Sequence, residues 1–348
     1  MRAVPAVFMA AVWLVAATVQ PVLALDNIPT TSGFSGYALV GPGYFNVETN
    51  LVVTGAPLLD DVSNARIDSV FASPQSQSVP ALLVAAELNY TFASTRTQLF
   101  VGNRIEDILR LDIAVGLGAR QELPDGSIIA ASLLTTPLDL KVWADPYVEG
   151  EDRTRTDLDF PGVRLRWGRI LNSGLELTAT SRQYRHDEEN SGDWLISQGR
   201  LTPNQQLLLD RDGDVLTLQA LYRIDVAQHR FEPAIRYIDD DHDGAALAKK
   251  GYSLQLTYLF RSPKVVLDAN ILYGTREADV THPIYGKVLD TDRWGAALTA
   301  FIPIKAFKSS GLSIFITGEV FQENANIDFY DSRVASLSAG LVWRHNRQ

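Results

Sequence analysis

The chain contains no cysteine among its 348 residues. That excludes thiol catalysis, disulfide staples, Cys-ligated metals and a lipidated N-terminal cysteine. Neither G-x-S-x-G nor H-E-x-x-H occurs, so the common hydrolase and metalloprotease motifs are missing. The 5 histidines, His186, His229, His242, His282 and His345, fall in expected loops, turns or the tail. A lipase-type site needs a serine, a histidine and an orienting third group. No catalytic residue is assigned and no cofactor is expected. Past Ala24 there is no run of about 18 apolar residues, which excludes a transmembrane helix. A formal net charge of −10 argues against nucleic acid, whose phosphates need a basic surface.

The first residues carry a different signal. Arg2 precedes an apolar stretch from Ala3 to Ala17, and Val22-Leu23-Ala24 offers small residues for cleavage. The pattern is that of a secretory signal peptide over residues 1–24, cut after Ala24. Residues 25–348 then form one domain. The short stretch from Leu25 to Gly33 leaves no room for a hatch domain ahead of the first strand.

From Ala81 to Arg344, segments of about ten residues alternate apolar and polar side chains, a period that belongs to strands. Ile108–Gln121 is the cleanest: Leu109, Leu111, Ile113, Val115 and Leu117 alternate with Arg110, Asp112, Ala114, Gly116 and Gly118. Another strand is expected from Ser127 up toward Trp143. Short connections at Ala93–Arg96, Leu171–Gly174, Asp225–Gln228 and Arg261–Lys264 interleave with long acidic ones at Asp187–Asp212, Asp239–Gly251 and Glu277–Asp292. A barrel in an outer membrane has short periplasmic turns and long outer loops. The fold class is therefore all-β: an up-and-down antiparallel transmembrane β-barrel of about 14 strands. An even count returns the last strand to the side where the first begins. Aromatics gather at strand ends, Tyr90, Phe92, Trp167, Tyr258 and Phe260 by short turns, Tyr252, Tyr273 and Trp294 by long loops, as interfacial girdles do.

The closing strand, Ser338-Ala339-Gly340-Leu341-Val342-Trp343-Arg344-His345, is similar to the C-terminal signal read by barrel-assembly machinery, with His345 where Phe is usual. Two further segments, Phe34-Ser35-Gly36 through Gly41-Pro42-Gly43-Tyr44-Phe45 to Asn50-Leu51, and Trp143-Ala144-Asp145-Pro146-Tyr147 with Gly150 and Arg153, resemble an uncharacterised family of Gram-negative outer-membrane proteins, domain of unknown function 2860. The resemblance implies a barrel in the outer membrane of a Gram-negative bacterium. It carries over no binding or catalytic residue.

A charge on the lipid face near the midplane costs about 2–4 kcal/mol, so the charged face of each strand should point into the lumen. That rule assigns Arg110, Asp112, Arg120, Arg164, Arg166, Arg182, Arg223, Glu232, Arg236, Glu87, Asp268 and Glu319 to the interior. Arg230 and Glu176 join them. Rings of arginine bias permeation toward anions, whereas a ladder of Arg–carboxylate pairs would merely satisfy a polar interior. Loops 51–79 and 137–161 are long enough to fold inward or to cover the outer surface. Trp143, Asp145, Tyr147 and Arg153 suit a constriction there.

Asp239-Asp240-Asp241-His242-Asp243-Gly244 matches the opening of a calcium loop, with Asp239, Asp241 and Asp243 as ligands. Lys250 stands where an EF-hand needs glutamate, so the readings left are a solvated acidic turn, weak binding of calcium, or bridging by divalents to lipopolysaccharide. The leading function is a porin-like channel for small polar or anionic solutes. The alternative is a non-conducting surface barrel whose acidic loops bind a partner or lipopolysaccharide; a lipid-modifying enzyme comes third. Expected partners are outer-membrane lipid, lipopolysaccharide, assembly machinery and small solutes.

Overall fold

The computed structural model describes residues 25, 27–54, 61–103, 114–135, 140–304 and 311–345. In chain order the strands are β1 (Gly33–Glu48), β2 (Val52–Thr54), β3 (Ser76–Phe92), β4 (Thr97–Gly102), β5 (Val115–Glu122) and β6 (Ile128–Thr135). There follow β7 (Leu140–Trp143), β8 (Arg155–Asp159), β9 (Gly162–Gly168), β10 (Leu175–His186), β11 (Gly213–Tyr222) and β12 (Ile224–Val226). The last are β13 (His229–His242), β14 (Lys249–Arg261), β15 (Val266–Thr281), β16 (Val288–Pro303), β17 (Leu312–Ala325) and β18 (Ser332–His345). With β12 continuing β11 and with β2, β7 and β8 apart, these make a closed antiparallel barrel of 14 strands. The expected signal segment, and Arg110 and Asp112, lie outside the described residues.

Each wall strand alternates as its sequence does. On β14, Tyr252, Leu254 and Leu256 are exposed while Ser253, Gln255 and Thr257 are buried. Leu133, Leu165, Leu254, Ile271, Leu298 and Leu337 form an exposed apolar belt, the signature of a hydrocarbon-facing surface. Rings border it at both ends: Phe34, Tyr90 and Phe92 in edge contact by the short turns, Tyr237 with Tyr252 by the long loops. No helix is long and apolar enough to cross a membrane among the described residues. The molecule is an outer-membrane β-barrel.

The barrel closes where β18 meets β1. Their pairing skips from Val40↔Leu341 to Gly43↔Ser338 because Pro42 has no N–H to donate. Gly340 lies at this gap, and a Cβ there would stand 2.2 Å from the Val40 carbonyl oxygen and 2.8 Å from the Phe315 ring. Glycine lets the strands approach while Phe315 packs over the seam inside.

Two expectations need correction. The strand rising from Ser127 ends at Thr135, and Leu140–Trp143 belongs to a separate sheet. The acidic stretches Asp239–Gly251 and Glu277–Asp292 are mostly strand: Asp239 pairs with Lys250 and Thr281 with Val288. Once strands leave the hydrocarbon both faces are polar, so alternation fades although the hydrogen-bond ladder continues. Asp187–Asp212 is a true loop, carrying short helices α1 (Asp193–Ser197) and α2 (Pro203–Gln206).

Candidate functional site

The inward-facing arginines fall into register. Crossing from strand to strand, the paired positions run Gln98, Arg120, Ala130, Arg166, Thr178, Gln219, Arg236, Ser253, Gly274, Arg293 and Glu323. One cross-strand row thus places Arg120, Arg166, Arg236 and Arg293 on the lumen wall. Because barrel strands tilt against the axis, such a row climbs as it circles. Arg164 and Arg276 share the next row, through Thr180, Thr217, Ile238 and Gly251.

The wall's own polar groups hold these guanidinium groups. Arg120 reaches Gln98 at 3.1 Å and Glu87 at 3.2 Å. Arg166 meets Glu176 Oε1 through Nε at 2.8 Å and a terminal nitrogen at 2.5 Å. Arg164 donates to Thr180 at 3.2 Å, and Arg236 to Gln219 at 2.8 Å. Arg223 meets Glu232 at 3.4 Å, and Arg182 lies over the Phe160 ring at 4.7 Å. Asp268 accepts from Asn270 at 2.6 Å and Glu319 from Ser336 at 2.8 Å. The sequence reading omitted a further charged cluster: Arg276 bonds Glu323 at 2.8 Å and Asp240 at 3.2 Å, and Arg293 lies 3.0 Å from Glu323. The alternation Asp268, Asn270, Leu272, Gly274 points Arg276 inward, one residue before the stretch Glu277–Asp292 that reads as a loop.

Opposite this polar wall the lumen is apolar. Leu39, Leu83, Phe301, Phe315 and Val342 form one cluster. Toward the long loops, Phe45, Val79, Leu272, Phe321 and Val334 of the wall pack with Val52, Val62, Leu140, Val142 and Leu158 of the loops. Those loop residues belong to or adjoin β2, β7 and β8, which form a small sheet with the end of β10. Loops 51–79 and 137–161 therefore send this sheet into the lumen, seated by apolar contact with wall residues.

Above it the long loops share a second core that includes Val70, Tyr147, Leu195, Leu209, Leu247, Phe329 and Tyr330. Trp143, Asp145, Tyr147 and Arg153 come together, but as the buried interior of this cap. Asp145 accepts from the backbone N–H of Tyr147 at 2.9 Å, Gly192 at 3.1 Å and Trp194 at 2.9 Å, pinning α1 to its loop. Burial pushes its carboxyl above the usual carboxylate range against the pull of those donors. Arg153 donates to the carbonyls of Asn50, Pro146 and Asn64 and stacks on Trp143. These contacts position the loops; the side chains are not presented to a passing solute.

The opposite mouth is also narrowed. Leu25 and Ile28 are buried against Ile128 and Ala130 of the lumen wall. Arg96 donates to the carbonyls of Ile28 and Pro29 at 2.7 Å each, and Arg169 bonds Asn27. Beside Leu25, the space lined by Phe100, Arg120, Ser132, Arg164 and Arg166 is ≈ 20 Å³, room for about one water. Residues 25 and 27–29 thus enter this mouth. On the outside of the same wall, Leu165, Leu177, Leu218 and Ile235 line a groove of ≈ 910 Å³.

Asp239, Asp241 and Asp243 do not converge. Strand β13 runs through His242, which sends Asp240 inward to Arg276 while Asp239 lies 3.6 Å from Lys250. Among the described residues no three acidic or imidazole side chains gather as a metal site.

Three solved structures overlay on nearly the whole chain. The CymD monoaromatic hydrocarbon channel matches at 10% identity over 95% of this chain and 98% of that one, TM-score 0.46. A loop-deletion mutant of OmpT, an outer membrane protein of Vibrio cholerae, matches at 10% identity over 90% and 99%, TM-score 0.42. OpdK of Pseudomonas aeruginosa, solved with vanillate, matches at 12% identity over 90% and 98%, TM-score 0.35. No curated protein matches. Residues 33–344, from the first residue of β1 almost to the end of β18, match the profile described as protein of unknown function (DUF2860), and the chain belongs to that family.

Proposed function

We propose that this barrel is a narrow channel for small polar or anionic solutes in the outer membrane of a Gram-negative bacterium. The observation that carries the reading is the lumen-facing row Arg120, Arg166, Arg236 and Arg293. Guanidinium groups spaced along one climbing row offer successive weak sites, the condition for an ion both to enter and to leave. Hydrogen-bonded neighbours hold two of these planes in place, Gln98 that of Arg120 and Gln219 that of Arg236. The inward sheet and the N-terminal stretch narrow the route at its ends.

The packed loop cap favours a second reading: a non-conducting barrel whose outer surface binds a partner or lipopolysaccharide. Glu188, Asp193, Asp241 and Asp243 belong to that outer region. Either reading uses the C-terminal strand for delivery by assembly machinery.

Uptake into liposomes separates the two. Protein isolated from outer membranes would be reconstituted and offered small carboxylates, amines and neutral solutes of matched size. Faster entry of the carboxylates supports the channel. Equal exclusion of all three moves the function to the outer surface.

A further inference from the structure

The periplasmic mouth carries a seat for a positive charge that the full-length precursor does not present. The Leu25 backbone nitrogen lies 2.6 Å from Glu176 Oε2, while Arg166 occupies Oε1. Glu176 is 1% exposed. Gly168 opens the space, since a Cβ there would stand 3.3 Å from the Leu25 side chain and 3.1 Å from Glu176 Oε2. Around this point Arg120, Arg164 and Arg166 share a small space with Leu25. One oxygen of this buried carboxylate is thus turned to a main-chain nitrogen that carries no charge while the chain is uncut.

The nitrogen changes chemistry at the expected processing site. Hydrolysis of the Ala24–Leu25 peptide bond by a signal peptidase consumes one water. It leaves a carboxylate on Ala24 and an amine on Leu25, which takes up a proton. An α-amine titrates near 7.7–8.0 in ordinary surroundings, roughly one unit above neutrality. We infer that Glu176 is the receptor site for the α-ammonium of the processed chain, so that maturation locks Leu25 and residues 27–29 into the periplasmic mouth.

An amide N–H on this carboxylate is already a charge-assisted bond, but an ammonium adds a full positive charge to the same contact. The seat therefore holds the processed chain better than an uncut one. Its selectivity rests on a single carboxylate among arginines. With Glu176 present, the ammonium and Arg166 share one anion. Without it, the ammonium would face guanidinium groups alone and be expelled. Arg96 and Arg169 fasten the following carbonyls and the Asn27 side chain from the short turns, so the latch is built from both ends. This inference rests on cleavage after Ala24, not on passage of any solute.

Protein isolated from outer membranes gives the test. Mass spectrometry of the N-terminal peptide identifies the first residue. An amine-specific acetylating reagent then measures how fast that α-amine reacts in folded and in urea-unfolded protein. The inference expects Leu25 as the first residue and acetylation about tenfold slower when folded, the factor that one pKa unit of ammonium stabilisation gives. Glu176→Gln should remove the protection in protein that still folds. Glu176→Asp keeps the charge beside Arg166 and should retain part of it, which covers the case in which the glutamine variant does not fold. A different first residue, or an α-amine equally reactive in folded and unfolded protein, overturns the inference. So does full protection that survives both substitutions. None of these readouts depends on conductance, so a silent barrel leaves the test intact.

Discussion

Tyr147 and Tyr330 join their hydroxyls at 2.5 Å in the middle of the loop cap, although 183 positions separate them in the chain. His282 Nε2 meets the same Tyr330 hydroxyl at 2.7 Å. This chain of polar groups, surrounded by Leu195, Leu209 and Phe329, ties three loops into one layer.

Removing Tyr147 should therefore loosen distant loops together. Truncating a fully buried aromatic costs about 3–5 kcal/mol, and deleting the hydroxyl alone about 0.5–1.5 kcal/mol. Tyr147→Ala should expose the 187–212 loop to trypsin at Arg200 while the barrel stays resistant. Tyr147→Phe should do so weakly. Uniform resistance in both would show that the loops are held independently.

The cap should also loosen in acid. Burial lowers His282 from 6.5 to about 3, so the folded cap holds it neutral. Its contribution is complete above the unfolded value of 6.5 and is lost as pH falls from there toward 3, by about 1.4 kcal/mol per unit. Burial raises Asp145 and Glu189 instead, and raised carboxylates favour the folded cap as pH falls. The histidine effect is thus the difference between wild type and His282→Gln. Amide protection in residues 282–287 and 326–331, corrected for the slower intrinsic exchange in acid, should fall on acidification in wild type and less so in the variant.

Closure of the wall depends on Gly340. A Cβ at that position meets the Val40 carbonyl at 2.2 Å, whereas one at Gly318 meets nothing nearer than 3.8 Å. Gly340→Val should sharply reduce the heat-modifiable folded band on a gel, overpacking costing about 1–3 kcal/mol even where relaxation is possible. Gly318→Ala should leave the band unchanged.

Period-two alternation was enough to read the barrel, its lipid belt and the inward arginines, because a lipid solvent imposes one rule on every outward position. Arg120, Arg164, Arg166, Arg182, Arg223 and Arg236 all point inward as that rule requires. The rule has no purchase beyond the hydrocarbon. There Asp239 and Thr281 still pair across strands, and Trp143 and Tyr147 are buried rather than lining a passage. Contacts such as Asn50 with Phe329, or Leu25 with Glu176, join positions 279 and 151 apart. No local pattern encodes them. The shared register of Arg120, Arg166, Arg236 and Arg293 was hidden for a related reason: it depends on the stagger of every hairpin between them.

On the proposed function this row, and not the acidic outer loops, sets what passes. The most direct test is the reversal potential of the outer-membrane protein in a planar bilayer under a salt gradient, beside a variant with Arg120, Arg166 and Arg236 replaced by glutamine. An anion-selective potential is expected in the wild type, moving toward zero or reversing in the variant. A cation-selective potential, or one unchanged by the three substitutions, would contradict it.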